Sequence, residues 1–242
     1  MLKFFRKARV NMIKDKKVSR YLAYAIGEII LVMVGILLAL QVNNWNEKRK
    51  IKKTLNYTLR IISADLAIDT TAAAGVIEFY ENNQENSKKV LLGKFTKDNY
   101  QNCLQCFNLV TIYQPFNIQT KGINLLKNII DSESEQVDSL ITDLSKFYSV
   151  FTPLLEKSNN RMENTVMDNF KVLQDKSWFI DMAQANFTPE VIDYFTSSED
   201  YKKRVVSHGM LAAVNHLSLS KQYKNNAAKL LRQIEERLNY AE

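Results

Sequence analysis

Tyr21–Val42, YLAYAIGEIILVMVGILLALQV, holds one charged residue, Glu28, in 22 positions. About 20 residues at 1.5 Å of rise cross the hydrocarbon core of a bilayer, so this stretch reads as one transmembrane helix. Lys14, Lys16, Lys17 and Arg20 close it on one side, and Asn43, Asn44, Trp45 and Glu47-Lys48-Arg49-Lys50 on the other. Tyr21, Tyr24 and Trp45 stand near its ends as interface anchors, because amphipathic rings prefer the headgroup level. A cleavable signal peptide is the competing reading. Its apolar core would run about 7–15 residues and end on small residues. This run is longer, contains a carboxylate and offers only Leu37-Leu38-Ala39 as a cleavage site. A retained anchor fits better.

Outward from the span, charge divides the chain. The net charge is +7, but residues 1–53 hold 13 Lys/Arg against three acids, whereas residues 54–242 hold 20 against 23. The basicity is juxtamembrane, where each cation near an anionic leaflet is worth roughly 1 kcal/mol. The distal part has no basic bias for a phosphate backbone to exploit, which argues against nucleic-acid binding. In the 15 residues before Tyr21 there are seven Lys/Arg and in the 15 after Val42 there are five. The positive-inside rule then favours a cytoplasmic N-terminus and an extracytoplasmic, periplasmic distal domain on an inner membrane. Residues 1–13 put Met1, Phe4, Phe5, Ala8 and Met12 on one helical face, with Lys3, Arg6 and Lys7 roughly opposite. Two readings stand: an interfacial amphipathic helix, or a plain basic topology signal.

The remainder reads as all-α. Six Gly and three Pro in 242 residues are too few for a sandwich or barrel with its many tight turns. Leu55, Leu59, Ile62, Leu66 and Ile68–Asp69 carry helical spacing onward from Trp45, and a shorter helix is expected over Phe95–Leu109. Tyr113-Gln114-Pro115-Phe116 is a break, since the residue before Pro leaves the helical region. Ser132 or Ser134 is expected to cap the next helix, with Glu133 and Glu135 in its first turn and Pro153 perturbing or restarting it. Thr188-Pro189-Glu190 is a helix start with Pro at the first position. A last helix is expected from about Asp200 to Leu238. The organisation is a basic segment (1–20), the span (21–42), a helical stalk (43–95) and a bundle-like helical domain (96–242).

The block Tyr24-Ala25-Ile26-Gly27-Glu28-Ile29-Ile30-Leu31-Val32, followed by Gly35-Ile36-Leu37 and Ala39 through Glu47, resembles the signature of a Bacteroidota membrane-protein family, the domain-of-unknown-function family numbered 6090. The match covers roughly the first 50 residues. A weaker echo lies at Thr120-Lys121-Gly122-Ile123-Asn124-Leu125-Leu126. The resemblance implies a single-pass envelope protein with a helical distal domain, and it brings no activity with it.

Glu28 lies about 5 Å from the centre of the span at 1.5 Å per residue. A carboxylate at that depth costs on the order of 3 kcal/mol, so it neutralises or finds a partner. It is either a proton-accepting group that couples ion flow to the distal domain, or an acid that sets helix–helix register. Ala23, Gly27, Gly35 and Ala39 favour the second reading. They follow one i, i+4 track, interrupted by Leu31, and small residues so spaced let helix backbones approach. Cys103-Leu104-Gln105-Cys106 is the one cysteine pair. It is a redox centre, half a metal site, or a structural pair of thiols or disulfide. A redox pair usually opens a helix beside a parallel sheet, and none is legible. A zinc site needs two more ligands, and His208 and His216 are far along the chain. No G-x-S-x-G, phosphate-binding glycine loop or H-E-x-x-H occurs. Glu199 and Asp200 sit at a helix start, where the helix dipole accounts for them. Trp178, Tyr113, Phe116, Phe147, Tyr148 and Phe151 read as core.

The expected protein is therefore a single-pass, envelope-anchored interaction or scaffold component, without catalysis, cofactor or metal. Its partners would be the membrane and a second copy or another envelope protein. A transport or energy-coupling subunit using Glu28 and an extracytoplasmic thiol enzyme using Cys103 and Cys106 are the alternatives.

Overall fold

The computed structural model describes residues 18–132, 138–210 and 214–239, and the regular structure among them is entirely helical. The amphipathic reading of residues 1–13 lies outside them, as do Glu133 and Glu135. Helix α1 runs unbroken over Val18–Leu91. No Pro interrupts it, and its one interior glycine after the span, Gly75, has open space where a Cβ would sit. Gly93 ends it at φ 67, a conformation that costs glycine nothing. The N–H groups of Lys94 and Phe95 then turn back to the Lys89 carbonyl.

By contacts the chain forms two units, Met1–Leu55 and Asn56–Glu242. The expected stalk boundary after residue 95 falls inside the second. Leu59, Ile62, Leu66, Ala73, Val76 and Tyr80, each at most 2% exposed, follow spacings of three, four, seven, three and four. That pattern is a buried helical seam, so this part of α1 is core. The other long helices of the unit are α3, Ser139–Gln174, and α7, Val214–Asn239, which pack on one another. Tyr223 meets Asp69 of α1, and His216 meets Tyr80 of α1. Tyr223 also meets Phe147 and Phe151 of α3, and His216 meets Ser158. Residue numbers rise on α1 and α3 as they fall on α7, so α7 is antiparallel to both.

Helix starts follow capping chemistry, with one correction. Helix α3 is capped by Asp138, whose Oδ1 accepts from the Leu140 N–H at 3.1 Å, in place of the expected Ser132 or Ser134, of which Ser134 lies outside the described residues. Pro153 lies inside α3 without ending it. Thr188 caps α5, Pro189–Ser197, with Pro189 at its start. Ser198 caps α6, Glu199–His208, through the Asp200 and Tyr201 N–H groups. The expected last helix from Asp200 is thus α6 and α7, with 211–213 between them undescribed. Two short α-helices complete the set among the described residues: α2, Lys121–Ser132, and α4, Phe179–Ala183.

The helix expected over Phe95–Leu109 is instead a 3-10 stretch, Tyr100–Phe107, broken at Cys103 (φ −147°, ψ 67°). A second apolar cluster surrounds it: Val90, Phe95, Phe107, Leu109 and Val110 with Leu173, Trp178, Val191, Phe195, Tyr201 and Val205.

Candidate functional site

Three features carry the chemistry of this chain: the apolar span, the cysteine pair, and polar side chains buried in the second unit. In the span, the large apolar side chains from Leu22 to Val42 are 48–72% exposed. Its most apolar 18-residue window has a mean hydropathy of 2.4, and none of it is buried. Among the described residues it is the one helix long and apolar enough to cross a membrane. Soluble monomers rarely expose an apolar surface beyond a few hundred Å². Ala23, Gly27, Gly35 and Ala39 are all exposed, and a Cβ at Gly27 or Gly35 would meet nothing within 4 Å. Glu28 is half-buried beside them. Tyr24 and Trp45 are exposed near the ends, and the Tyr21 side chain lies outside the described set.

Cys103 and Cys106 form a disulfide with Cα atoms 5.3 Å apart. The non-helical backbone at Cys103 is what lets two residues three apart meet, a geometry that an unbroken helix makes tight. The pair is 5% and 0% exposed, inside the second apolar cluster. Both sulfurs lie against Asn86, at 3.5 Å from its Oδ1 and 3.9 Å from its carbonyl oxygen. Tyr201 donates its hydroxyl to the Cys106 carbonyl. Burial on this scale keeps an attacking thiolate from the sulfurs. Among the described residues no group of three or more His, Cys, Asp or Glu could hold a metal ion.

Apart from His208 and His216, the buried polar side chains belong to no motif in the sequence, and most of them serve the backbone. The irregular stretch 108–120 crosses a helical unit, and its N–H and C=O groups need partners there. Asn83 donates to the Leu109 carbonyl at 3.2 Å and Asn169 to the Val110 carbonyl at 3.1 Å. Asn159 accepts from the Phe116 N–H and donates to its carbonyl, both at 3.0 Å. Tyr80 treats Gln114 the same way. Helix α2 is held at its start by carboxylates of α1. Asp69 accepts from the Gln119 N–H at 3.0 Å, and Asp65 from the Gly122 N–H at 2.8 Å. These N–H groups have no partner within α2, and the helix N-terminus favours negative charge. Tyr223 donates to Asp69 at 2.6 Å. Burial raises the Asp69 pKa above the usual carboxylate value, against the lowering effect of these hydrogen bonds.

His208 and His216 are 1% and 0% exposed. His216 Nδ1 lies 2.8 Å from Ser158 Oγ, and its ring packs edge-on to Tyr80. Burial lowers both histidine pKa values to about 4, opposed at His216 only in part by the Gln114 backbone. They are neutral core groups at physiological pH. The aromatics read as core are so, with Phe116, Phe147, Tyr148, Phe151 and Trp178 all buried; Tyr113 is half-buried.

No family model matches the chain, and no curated protein or solved structure does.

Proposed function

We propose that this protein is a single-pass membrane anchor carrying a helical domain outside the cytoplasm, and that it acts by protein association rather than catalysis. The observation that carries the reading is the exposed apolar span, Leu22–Val42, which none of the described residues shields from water. A bilayer removes that surface at a gain of roughly 25 cal/mol per Å². The buried disulfide supports the extracytoplasmic side, because cytosolic thiols are kept reduced. The non-catalytic reading is supported by the roles of the buried polar groups. Asp65, Asp69, Asn83, Asn169 and Tyr80, with the half-buried Asn159, are all engaged on backbone N–H and C=O groups.

Self-association through Ala23, Gly27, Gly35 and Ala39, with Glu28 beside them, belongs to the same proposal. So does membership of the envelope family that the N-terminal block resembles. The test is topological. A C-terminal alkaline phosphatase fusion is expected to be active and a C-terminal fluorescent-protein fusion dark. A dark phosphatase with a bright fluorescent protein would place the domain in the cytoplasm and overturn the assignment.

A further inference from the structure

The five cations Lys48, Arg49, Lys50, Lys52 and Lys53 follow the span on the same helix, with Glu47 the one acid among them. All five are exposed. At about 100° per residue they cover roughly 200° of the helix circumference, which leaves Ile51 and Leu55, both half-buried, on the remaining arc. Counted from Val42, they begin about 9 Å beyond the apolar run and end about 16 Å beyond it. The headgroup layer on each side of the hydrocarbon core is about 5–8 Å deep. Lys and Arg stems are long and flexible enough to swing their charges back towards it. The whole cluster therefore stands within about a Debye length of the lipid phosphates at physiological salt.

We propose that this collar binds anionic phospholipid headgroups of the leaflet at the distal end of the span. Charge complementarity selects the ligand, and continuity with the span selects the source: the cations start just beyond the headgroup layer, within reach of its phosphates. The proposal rests on the reading of Tyr21–Val42 as membrane-embedded. The spread over more than half of the helix circumference lets several lipids be engaged at once, so the collar acts as a broad charged face rather than a one-headgroup pocket.

Trp45 stands between span and collar, while Trp178, the other tryptophan, is buried in the distal unit and supplies a constant background. The full-length chain would be reconstituted into phosphatidylcholine vesicles containing about one-fifth phosphatidylglycerol, with bromine on the acyl chains of one lipid or the other. Co-flotation after alkaline washing reports insertion of the span. Quenching of Trp45 reports which lipid surrounds the collar. The expected result is about threefold stronger quenching by brominated phosphatidylglycerol than its mole fraction predicts. That excess should fall towards unity near 1 M salt, where the Debye length is about 3 Å. It should also vanish when Lys48, Arg49, Lys50, Lys52 and Lys53 are each changed to Gln, a residue of similar helix propensity. A chain that floats but is quenched in simple proportion to composition overturns the collar and leaves the anchor standing. A chain that does not float overturns both.

Discussion

Gly122 shows how much one position can decide. A Cβ there would lie 2.6 Å from Ile62 Cγ1 and 2.9 Å from the Ile62 Cα and N, and backbone atoms cannot step aside. Gly122→Ala is therefore expected to cost about 1–3 kcal/mol, the usual range for overpacking, despite the better helix propensity of Ala. Urea denaturation should show the loss as a lower midpoint at unchanged slope; a midpoint at or above that of the parent would refute the close approach. Next to it, Tyr223→Phe removes one donor from a buried carboxylate. Hydrogen bonds to charged groups are worth about 1.5–3 kcal/mol, and a loss of that size is expected. An unchanged melting temperature would mean that the Asp69 contact contributes nothing net.

Among the elements, the 3-10 stretch Tyr100–Phe107 and the crossing 108–120 depart most from helical expectation. The crossing cannot satisfy its own backbone and borrows from the helices around it. Asn83 and Asn159, which belong to α1 and α3, carry no local signal that sets them apart from other polar residues of those helices. The disulfide closes a loop of only four residues. Chain-entropy reasoning assigns such a loop about 2 kcal/mol. Changing Cys103 and Cys106 together to Ser should lower stability by about that amount or somewhat more, since the hydroxyls would be buried, while association and cell function persist. A folded double variant without function would favour the thiol-enzyme alternative instead.

For the whole molecule, the two histidines set a pH dependence. Their folded pKa values near 4 lie below the unfolded value near 6.5, so the unfolded chain binds more protons in that window. Their contribution is complete above about pH 6.5 and is lost as pH falls towards 4, with a slope of at most about 1.4 kcal/mol per pH unit for each histidine. Comparing the parent with a His208→Gln, His216→Gln variant isolates this from Asp69, whose raised pKa works in the opposite sense. The variant should show the flatter profile between pH 6.5 and 4; parallel profiles would mean that the rings are not titrating from buried, neutral sites. In the membrane, Glu28→Gln should preserve crosslinked oligomers and function, because the amide still donates and accepts. Glu28→Leu should weaken association by roughly 0.6–2 kcal/mol. A Gln variant that assembles but does not function would support the energy-coupling alternative.

What the sequence determined alone is what depends on local period and composition. The span, the all-helical class, the run of helix beyond Trp45, the Pro115 break and the Thr188-Pro189 start are written in hydropathy, spacing and backbone restriction, which act within a few turns. Tertiary structure decided where polar residues are spent. Nothing in the sequence marks Asp65 and Asp69 as helix-holding acids until α2 brings its unpartnered N–H groups to them, and nothing shows that Gly122 must be glycine until Ile62 lies against it. It also moved the domain boundary, because only packing distinguishes a stalk from a core helix. The break at Cys103 belongs to the same class: local propensity favours helix there, and a buried disulfide with its surrounding apolar cluster outweighs it.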